Sequence, residues 1–441
     1  MESAPTYTKG EVDSAIINNP FGEDGEASKY RTLSWWQAGF LMIAETISLG
    51  ILSLPQVMSS MGFVPTLILI VGICIISSYT GYVIGQVKLK YPGLHNFGDA
   101  GFLFFGRIGK EFLELCQMII LLFIMAAHIL TFSIMMNVLT GHGTCTVVFT
   151  VVGAIVSLLA TLPRTLKNVA LLSIFSCMSI LCAITITMVA VGVDHVDHPV
   201  IYAVTPLSLT SYQTGFVGVS NILLSFTAHI AFFGFISELK DPRDFNKSLA
   251  MLESVAVVLY IIVSCVIYRY AGAAVKSPAI GSASPLVAKI VYGIAIPTIV
   301  IAGVINGHIA AKNVFVRIWR RTPGVLGEKS FRSWGTWVAL CIILYVIAWI
   351  IASAIPVFSQ LLGLLGSLFC SWFTVGLPGL FWLSMNKGQW FKNWKKACLT
   401  ILNILLVAIG TAICGLGVYG SAYEIANNSG GQSPFSCADN S

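Results

Sequence analysis

The chain has 441 residues, of which 56% are hydrophobic and only 10% charged, with 25 Lys and Arg against 19 Asp and Glu. Soluble domains average about 45–50% apolar and about 25% charged, so a mean hydropathy of +0.85 excludes secreted disulfide scaffolds, nucleic-acid binders and ordinary cytosolic enzymes as first readings. A lipid bilayer is the implied surroundings of most of the chain. Most cysteines, such as Cys74, Cys116, Cys177, Cys182 and Cys265, lie in apolar runs and read as small buried hydrophobes. Only Cys145 and Cys437 fall where an oxidising compartment would reach them.

Residues 1–33 are polar and acidic with no apolar core, which predicts a disordered cytosolic tail rather than a signal peptide. Eleven apolar runs follow, each near the roughly 20 residues that cross about 30 Å of hydrocarbon: 34–60, 63–86, 112–139, 146–162, 168–192, 214–237, 248–271, 286–316, 334–355, 358–384 and 396–420. The longest gap, 87–111, has room for a short surface helix, and no linker holds a second domain. The predicted class is an all-α integral membrane protein, its transmembrane domain spanning 34–420, with 421–441 as an external tail. Placing the N-terminus inside puts 22 of the 25 basic residues in cytosolic segments and leaves only Arg269, Lys276 and Lys289 outside, as the positive-inside rule requires. Asn427, in Asn427-Asn428-Ser429, is then a glycosylation candidate on the outer side. The similar Asn246-Lys247-Ser248 falls in a cytosolic loop and should be inert.

The first span contains Ser48-Leu49-Gly50-Ile51-Leu52-Ser53-Leu54-Pro55, and the sixth contains Ser225-Phe226-Thr227-Ala228-His229 followed by Gly234. Small, polar and proline residues in mid-membrane predict broken helices, for which a simple proline kink is the plainer alternative in span 1. The two breaks are about 178 residues apart, the offset that also separates the starts of spans 1 and 6. Interruptions at matching places in two halves point to a transporter binding site. Five spans per half invert the second, giving repeat 1 over 34–192, repeat 2 over 214–384, and an extra helix over 396–420.

The run from Ala44 to Pro55 resembles the first helix of the amino acid/auxin permease family. Ala228-His229 through Glu238-Leu239-Lys240-Asp241-Pro242-Arg243-Asp244-Phe245 is similar to that family's second hallmark, and Gly303 through Lys312 to its eighth helix. The resemblance covers about residues 32–420 and is closest to fungal neutral amino acid permeases. It implies the five-plus-five inverted repeat of the amino acid–polyamine–organocation superfamily and a neutral amino acid as substrate.

An amino acid brings a carboxylate and an ammonium into a low-dielectric site. A broken span 1 would offer backbone N–H groups around Ser48, Leu49, Gly50 and Ile51 to the carboxylate. Carbonyls around Ser225, Phe226 and Thr227 would take the ammonium, with the Phe226 ring either a gate or pocket wall, or a plain lipid- or core-facing aromatic. Glu45, about 16 Å into span 1, sits where a bare carboxylate costs about 3 kcal/mol, and is the first candidate for proton coupling. His229, at similar depth, is the reserve. His128, Thr46 and Asn306 are further polar candidates, each with the alternative of an interior hydrogen bond. His308 is read as a packing or cytosolic-gate residue, and Glu114 and Glu253 as snorkelling at helix ends. The loop Asp194-His195-Val196-Asp197-His198 reads as solvated rather than metal-binding, since it lacks a second ligand pair at zinc spacing. No nucleotide fingerprint or catalytic triad is present, so neither an enzyme nor a primary pump is expected, and no cofactor.

The expected function is import of neutral amino acids by proton symport, with the plasma membrane as the location. The alternatives are a sodium-coupled or vacuolar transporter and a non-transporting sensor. Ala44 stands where sodium-coupled relatives are expected to place an oxygen-bearing side chain.

Overall fold

In hydrocarbon each backbone polar group must be satisfied within its own segment, and the chain answers with helices. A computed structural model describes residues 33–164, 169–194, 203–204, 211–319, 330–427 and 433–441. The predicted tail over 1–32, residues 195–198 of the acidic loop, and Asn428 and Ser429 of the outer sequon lie outside the described residues. The helices are α1 (Trp35–Met61), α2 (Phe63–Lys90), α3 (Phe97–Thr140), α4 (Thr146–Thr161), α5 (Val169–Asp194), α6 (Tyr212–Ser225) and α7 (His229–Glu238). They continue as α8 (Phe245–Ala271), α9 (Pro285–Ile318), α10 (Phe331–Ala354), α11 (Phe358–Leu365), α12 (Leu377–Met385) and α13 (Trp394–Asn427), with a π-helical segment over Gly366–Gly376 joining α11 to α12.

Taking α6 with α7 and α11 with α12 as single spans, ten helical segments are long and apolar enough to cross a membrane. The predicted fourth span is the shorter α4, whose 16 residues reach about 24 Å at 1.5 Å per residue, so length and composition alone give ten spans. The gap before span 3 does hold a helix: α3 begins at Phe97 and is interrupted at Gly106, whose φ of 71° suits glycine.

One expectation fails. Span 1 is not broken: α1 runs as a single helix from Trp35 to Met61 with Pro55 inside it. Pro55 removes only one donor, its own, and Ser53 Oγ donates to the Gly50 carbonyl at 3.0 Å. One missing hydrogen bond in a turn packed on all sides is too little to unwind it.

Two groups of spans emerge from the packing. One comprises α1, α2, the α6–α7 pair and α8; the other comprises α3, α4, α9 and α10. The groups touch each other sparsely, while α5 and the α11–α12 span contact both, and α13 packs outside against α6 and the π segment. Gly410 lets α13 approach the Ser371 carbonyl, and Gly417 sits against Ser367 and Ser220, the small-residue packing that membrane helices use when no hydrophobic force joins them. Ahead of α1, Leu33 pairs with Leu239 through two backbone bonds, Leu33 N–H to the Glu238 carbonyl at 3.0 Å and Lys240 N–H to the Leu33 carbonyl at 2.9 Å.

At the opposite end Cys145 and Cys437 form a disulfide across 292 residues. Residues 433–441 lie against α3, α4 and α10: Asn440 accepts from Asn137 Nδ2 at 2.8 Å and donates to Ser133 Oγ at 3.0 Å. Thr146 Oγ1 donates to the Ala438 carbonyl at 2.6 Å, and Phe435 N–H to the Ser353 carbonyl at 2.9 Å. In unreduced membranes a maleimide should leave both cysteines unlabelled, whereas Cys437→Ser should expose Cys145 to it without reductant. Labelling of Cys437 in the untreated wild type would contradict the pairing.

Candidate functional site

Hydroxyl side chains end α6. Ser225 Oγ donates back to the Asn221 carbonyl at 2.8 Å, and Thr227 Oγ1 to the Leu223 carbonyl at 2.8 Å, competing with the backbone for the acceptors that continue a helix. The Phe226 and Thr227 N–H groups tighten onto carbonyls three residues back, Leu223 at 3.1 Å and Leu224 at 3.0 Å. Phe226 and Ala228 then take φ near −102° with ψ near zero, the bridge region between helix and strand. The helix restarts at His229, where the first N–H groups have no acceptor within α7.

The released carbonyls are met by neighbouring helices. Tyr260 of α8 donates its hydroxyl to the Ser225 carbonyl at 2.7 Å, and Ser77 of α2 donates to the Phe226 carbonyl at 3.2 Å. Ser77 also lies 2.6 Å from Glu253 Oε1, whose other oxygen is 3.7 Å from the Cys74 sulfur. Thr227 shares a hydrogen bond of 2.9 Å with Thr374 of the π segment, a location in keeping with the frequent use of π geometry at functional sites. His229 Nε2 pairs with Thr80 Oγ1 at 2.9 Å while its Nδ1 has no partner among the described residues.

Gly50 is where α1 meets this break. A Cβ there would lie 2.8 Å from the Cα, Cβ and Oγ of Ser225. The glycine therefore serves the close approach of α1 to span 6, and the Ser48, Leu49, Gly50 and Ile51 N–H groups belong to the ladder of a continuous helix. Phe226 is buried, its ring edge-on to Tyr260 at 5.2 Å, so it is not lipid-facing.

Below the break, Ile230, Ala231, Gly234, Ser237 and Glu238 of α7 are at least partly exposed, as is Thr227 in the break itself, while the other residues of α7 are buried. Glu45 of α1 interacts electrostatically with Glu238, which in turn interacts with Lys312 of α9. These charges link α1, α7 and α9 on the side of the break that leads to the Leu33–Leu239 pairing.

The structure thus brings together Gly50, Ser225, Phe226 and Thr227. Thr46 joins them at its carbonyl, 3.4 Å from the Tyr260 hydroxyl, while its own hydroxyl donates to Met42 at 2.7 Å. His229 is adjacent, and Glu45 lies near Glu238 of α7. The other candidates lie elsewhere: His128 packs against Gly303 of α9, and Asn306 donates to the Ala302 carbonyl at 2.9 Å. His308 Nε2 is 3.0 Å from the Arg164 carbonyl, with Trp337 edge-on at 5.3 Å, a packing arrangement. Glu114 reaches the surface and meets Arg317 at 2.7 Å. Glu253 does not snorkel: it is 4% exposed, eight residues or about 12 Å into α8. Sequence reading missed it along with Ser77, Thr80, Tyr260 and Thr374. The available signal was Cys74, Ser77 and Thr80, polar groups three residues apart on one face of a predominantly apolar span.

Residues 31–423 match the family described as transmembrane amino acid transporter protein. The chain belongs to that family. It is 36% identical to the N amino acid transport system protein of Neurospora crassa, over 95% of this chain and 91% of that protein. It is 26% identical to amino acid transporter AVT1H of Arabidopsis thaliana, covering 86% of each. Its fold matches a Na+-coupled sialic acid symporter solved in a substrate-bound outward-open state, with a TM-score of 0.54 and 12% identity over 95% of this chain and 96% of that one. The relatives are transporters rather than enzymes, and an amino acid substrate and a membrane setting follow for this multi-pass family member.

Gly50→Val should remove amino acid uptake, since overpacking costs about 1–3 kcal/mol and here falls on the break itself, and Gly50→Ala should show a milder loss. Uptake per molecule reaching the membrane measures this; wild-type rates in the valine variant would show that the α1–span 6 contact is dispensable.

Proposed function

We propose that the protein imports neutral amino acids by proton symport, through alternating access of the two four-span groups. The observation that carries this reading is the span 6 break, a hydrogen-bonded interruption in the middle of an apolar span that lies against Gly50. The positive end of the α7 dipole, at the N–H groups of His229 and Ile230, suits the substrate carboxylate, in place of the α1 backbone expected from sequence. The ammonium falls to carbonyls and hydroxyls of Ser225, Phe226 and Thr227. Apart from His229 and the buried Glu253 behind Ser77, side chains around the break are hydroxylic, small or apolar, and no Lys or Arg forms an ion pair there among the described residues, so an acidic substrate side chain would lack a counter-ion. Glu45 remains the carboxylate through which protons exchange with water in this reading.

Eleven crossings also belong to this reading. Between Cys145 and Cys437 lie eight helical segments including α4. The two cysteines share one side of the membrane only if an even number of them cross, which favours α4 as a crossing despite its length. The pairing of spans 1 and 2 with 6 and 7, and of 3 and 4 with 8 and 9, is the pattern a five-span repeat would produce, with α13 outside it. In this reading the N-terminus is cytosolic, in keeping with the basic residues, and the disulfide lies on the outer, oxidising side.

Purified protein in liposomes, given labelled neutral, acidic and basic amino acids under separately imposed proton and sodium gradients, tests the reading. Accumulation of neutral amino acids driven by the proton gradient, and its loss in Glu45→Gln, is the expected outcome. Accumulation driven by sodium alone would replace the coupling ion, and exchange without accumulation under either gradient would replace symport.

A further inference from the structure

Glu253 is a carboxylate buried in the protein interior with only neutral hydrogen-bond donors in contact: the Ser77 hydroxyl at 2.6 Å and the Cys74 thiol at 3.7 Å. No Lys or Arg forms an ion pair with it among the described residues. Breaking or omitting the counter-ion of a buried charge is costly, so the ionised form is poorly supported where it lies. Ser77 carries one hydroxyl proton and stands between two acceptors, Glu253 Oε1 and the Phe226 carbonyl at 3.2 Å. It can serve only one of them at a time.

We propose that Glu253 is a buried proton-binding site that sets the state of the span 6 break through Ser77. This deepens the proton-symport reading above and rests on it. With a proton bound, the Glu253 hydroxyl donates to Ser77 Oγ, and Ser77 donates to the Phe226 carbonyl, so a continuous chain holds the break in its present form. With the proton lost, the carboxylate draws the Ser77 hydroxyl to itself and the Phe226 carbonyl keeps only its bond from the Ala228 N–H, 3.2 Å away. The break then loses one of its external ties. Proton and substrate are thereby coupled: each stabilises the geometry the other needs, and linkage makes the effect reciprocal.

The other titratable groups around Glu253 are few. Cys74 faces it from α2, and Tyr260 lies two turns along its own helix with Cys177 of α5 beyond. His229 of α7 meets α2 through Thr80, one turn from Ser77. On α1, which also packs on α8, the titratable side chain is Glu45. None of these is a cation placed to hold Glu253 ionised.

The test uses the full-length protein, with a labelled mixture of alanine, leucine and phenylalanine as the probe. Binding is measured in detergent across a pH series, and accumulation is measured in liposomes under a proton gradient. Wild-type affinity should fall as pH rises. Glu253→Gln, whose amide donates to Ser77 as the protonated acid would, should bind at the acidic wild-type level at every pH and lose proton-driven accumulation. Ser77→Ala should bind about fivefold more weakly than acidic wild type, the worth of one hydrogen bond, and also without pH dependence. If Glu253→Gln does not reach the membrane, Ser77→Ala decides by the same pH profile. A proton-responsive wild type whose Glu253→Gln or Ser77→Ala variant keeps the wild-type pH profile and accumulation overturns the inference alone. A wild type indifferent to protons overturns the symport reading and this one with it.

Discussion

A helix interrupted inside hydrocarbon must pass its freed carbonyls and N–H groups to other parts of the protein, because water is not there to take them. The span 6 break meets that requirement with Ser77 from α2 and Tyr260 from α8, which donate to its freed carbonyls, while Thr374 from the π segment holds the Thr227 hydroxyl. Each of those helices must hold its hydroxyl within hydrogen-bonding distance of the break, which fixes its rotation and depth. The glycine at position 50 brings α1 in from the remaining side, and the glycines of α13 bring the last helix close enough to support the π segment. Much of the architecture on this side of the molecule follows from keeping one short stretch of backbone satisfied.

The same requirement explains why the break is also the chemically interesting place. A carbonyl held by a hydroxyl that has a second acceptor is bistable in a way that a carbonyl inside a helix is not. Packed interiors respond to such small changes by switching between arrangements rather than by deforming smoothly. The sparse contact between the two groups of spans leaves room for that switching to be expressed as movement of one group against the other.

What the sequence made legible was everything carried by hydropathy over 20 or more residues. Span positions agree with the helices to within a few residues except that α3 begins at Phe97, well ahead of the expected start of span 3, and α13 runs on to Asn427; the break in span 6 stood out because Ser225, Thr227 and Gly234 interrupt a run of apolar residues. The break assigned to span 1 did not materialise because Gly50 and Pro55 look alike to a reader of local propensity, whether they open a helix or let a neighbour come close. Only the position of Ser225 across the interface tells the two apart. Glu253 was misread for a related reason: its distance along the chain from a helix end suggested an escape to water, and burial by α2 is a tertiary fact. The π segment over Gly366–Gly376 left no local signature, since its register depends on α13 and α6 packing on either side.

The pairing of Leu33 with Leu239 has a mechanical meaning. It joins the foot of α1 to the foot of α7 by two backbone bonds, while higher up the same two spans are pressed together at Gly50 and Ser225. Two spans fastened at two heights cannot slide or splay independently. They form a single lever, with the glycine contact as its fulcrum and the charges Glu45 and Glu238 along its lower arm. A force applied at that foot would then reach the break as a rotation about that contact, without either helix having to bend.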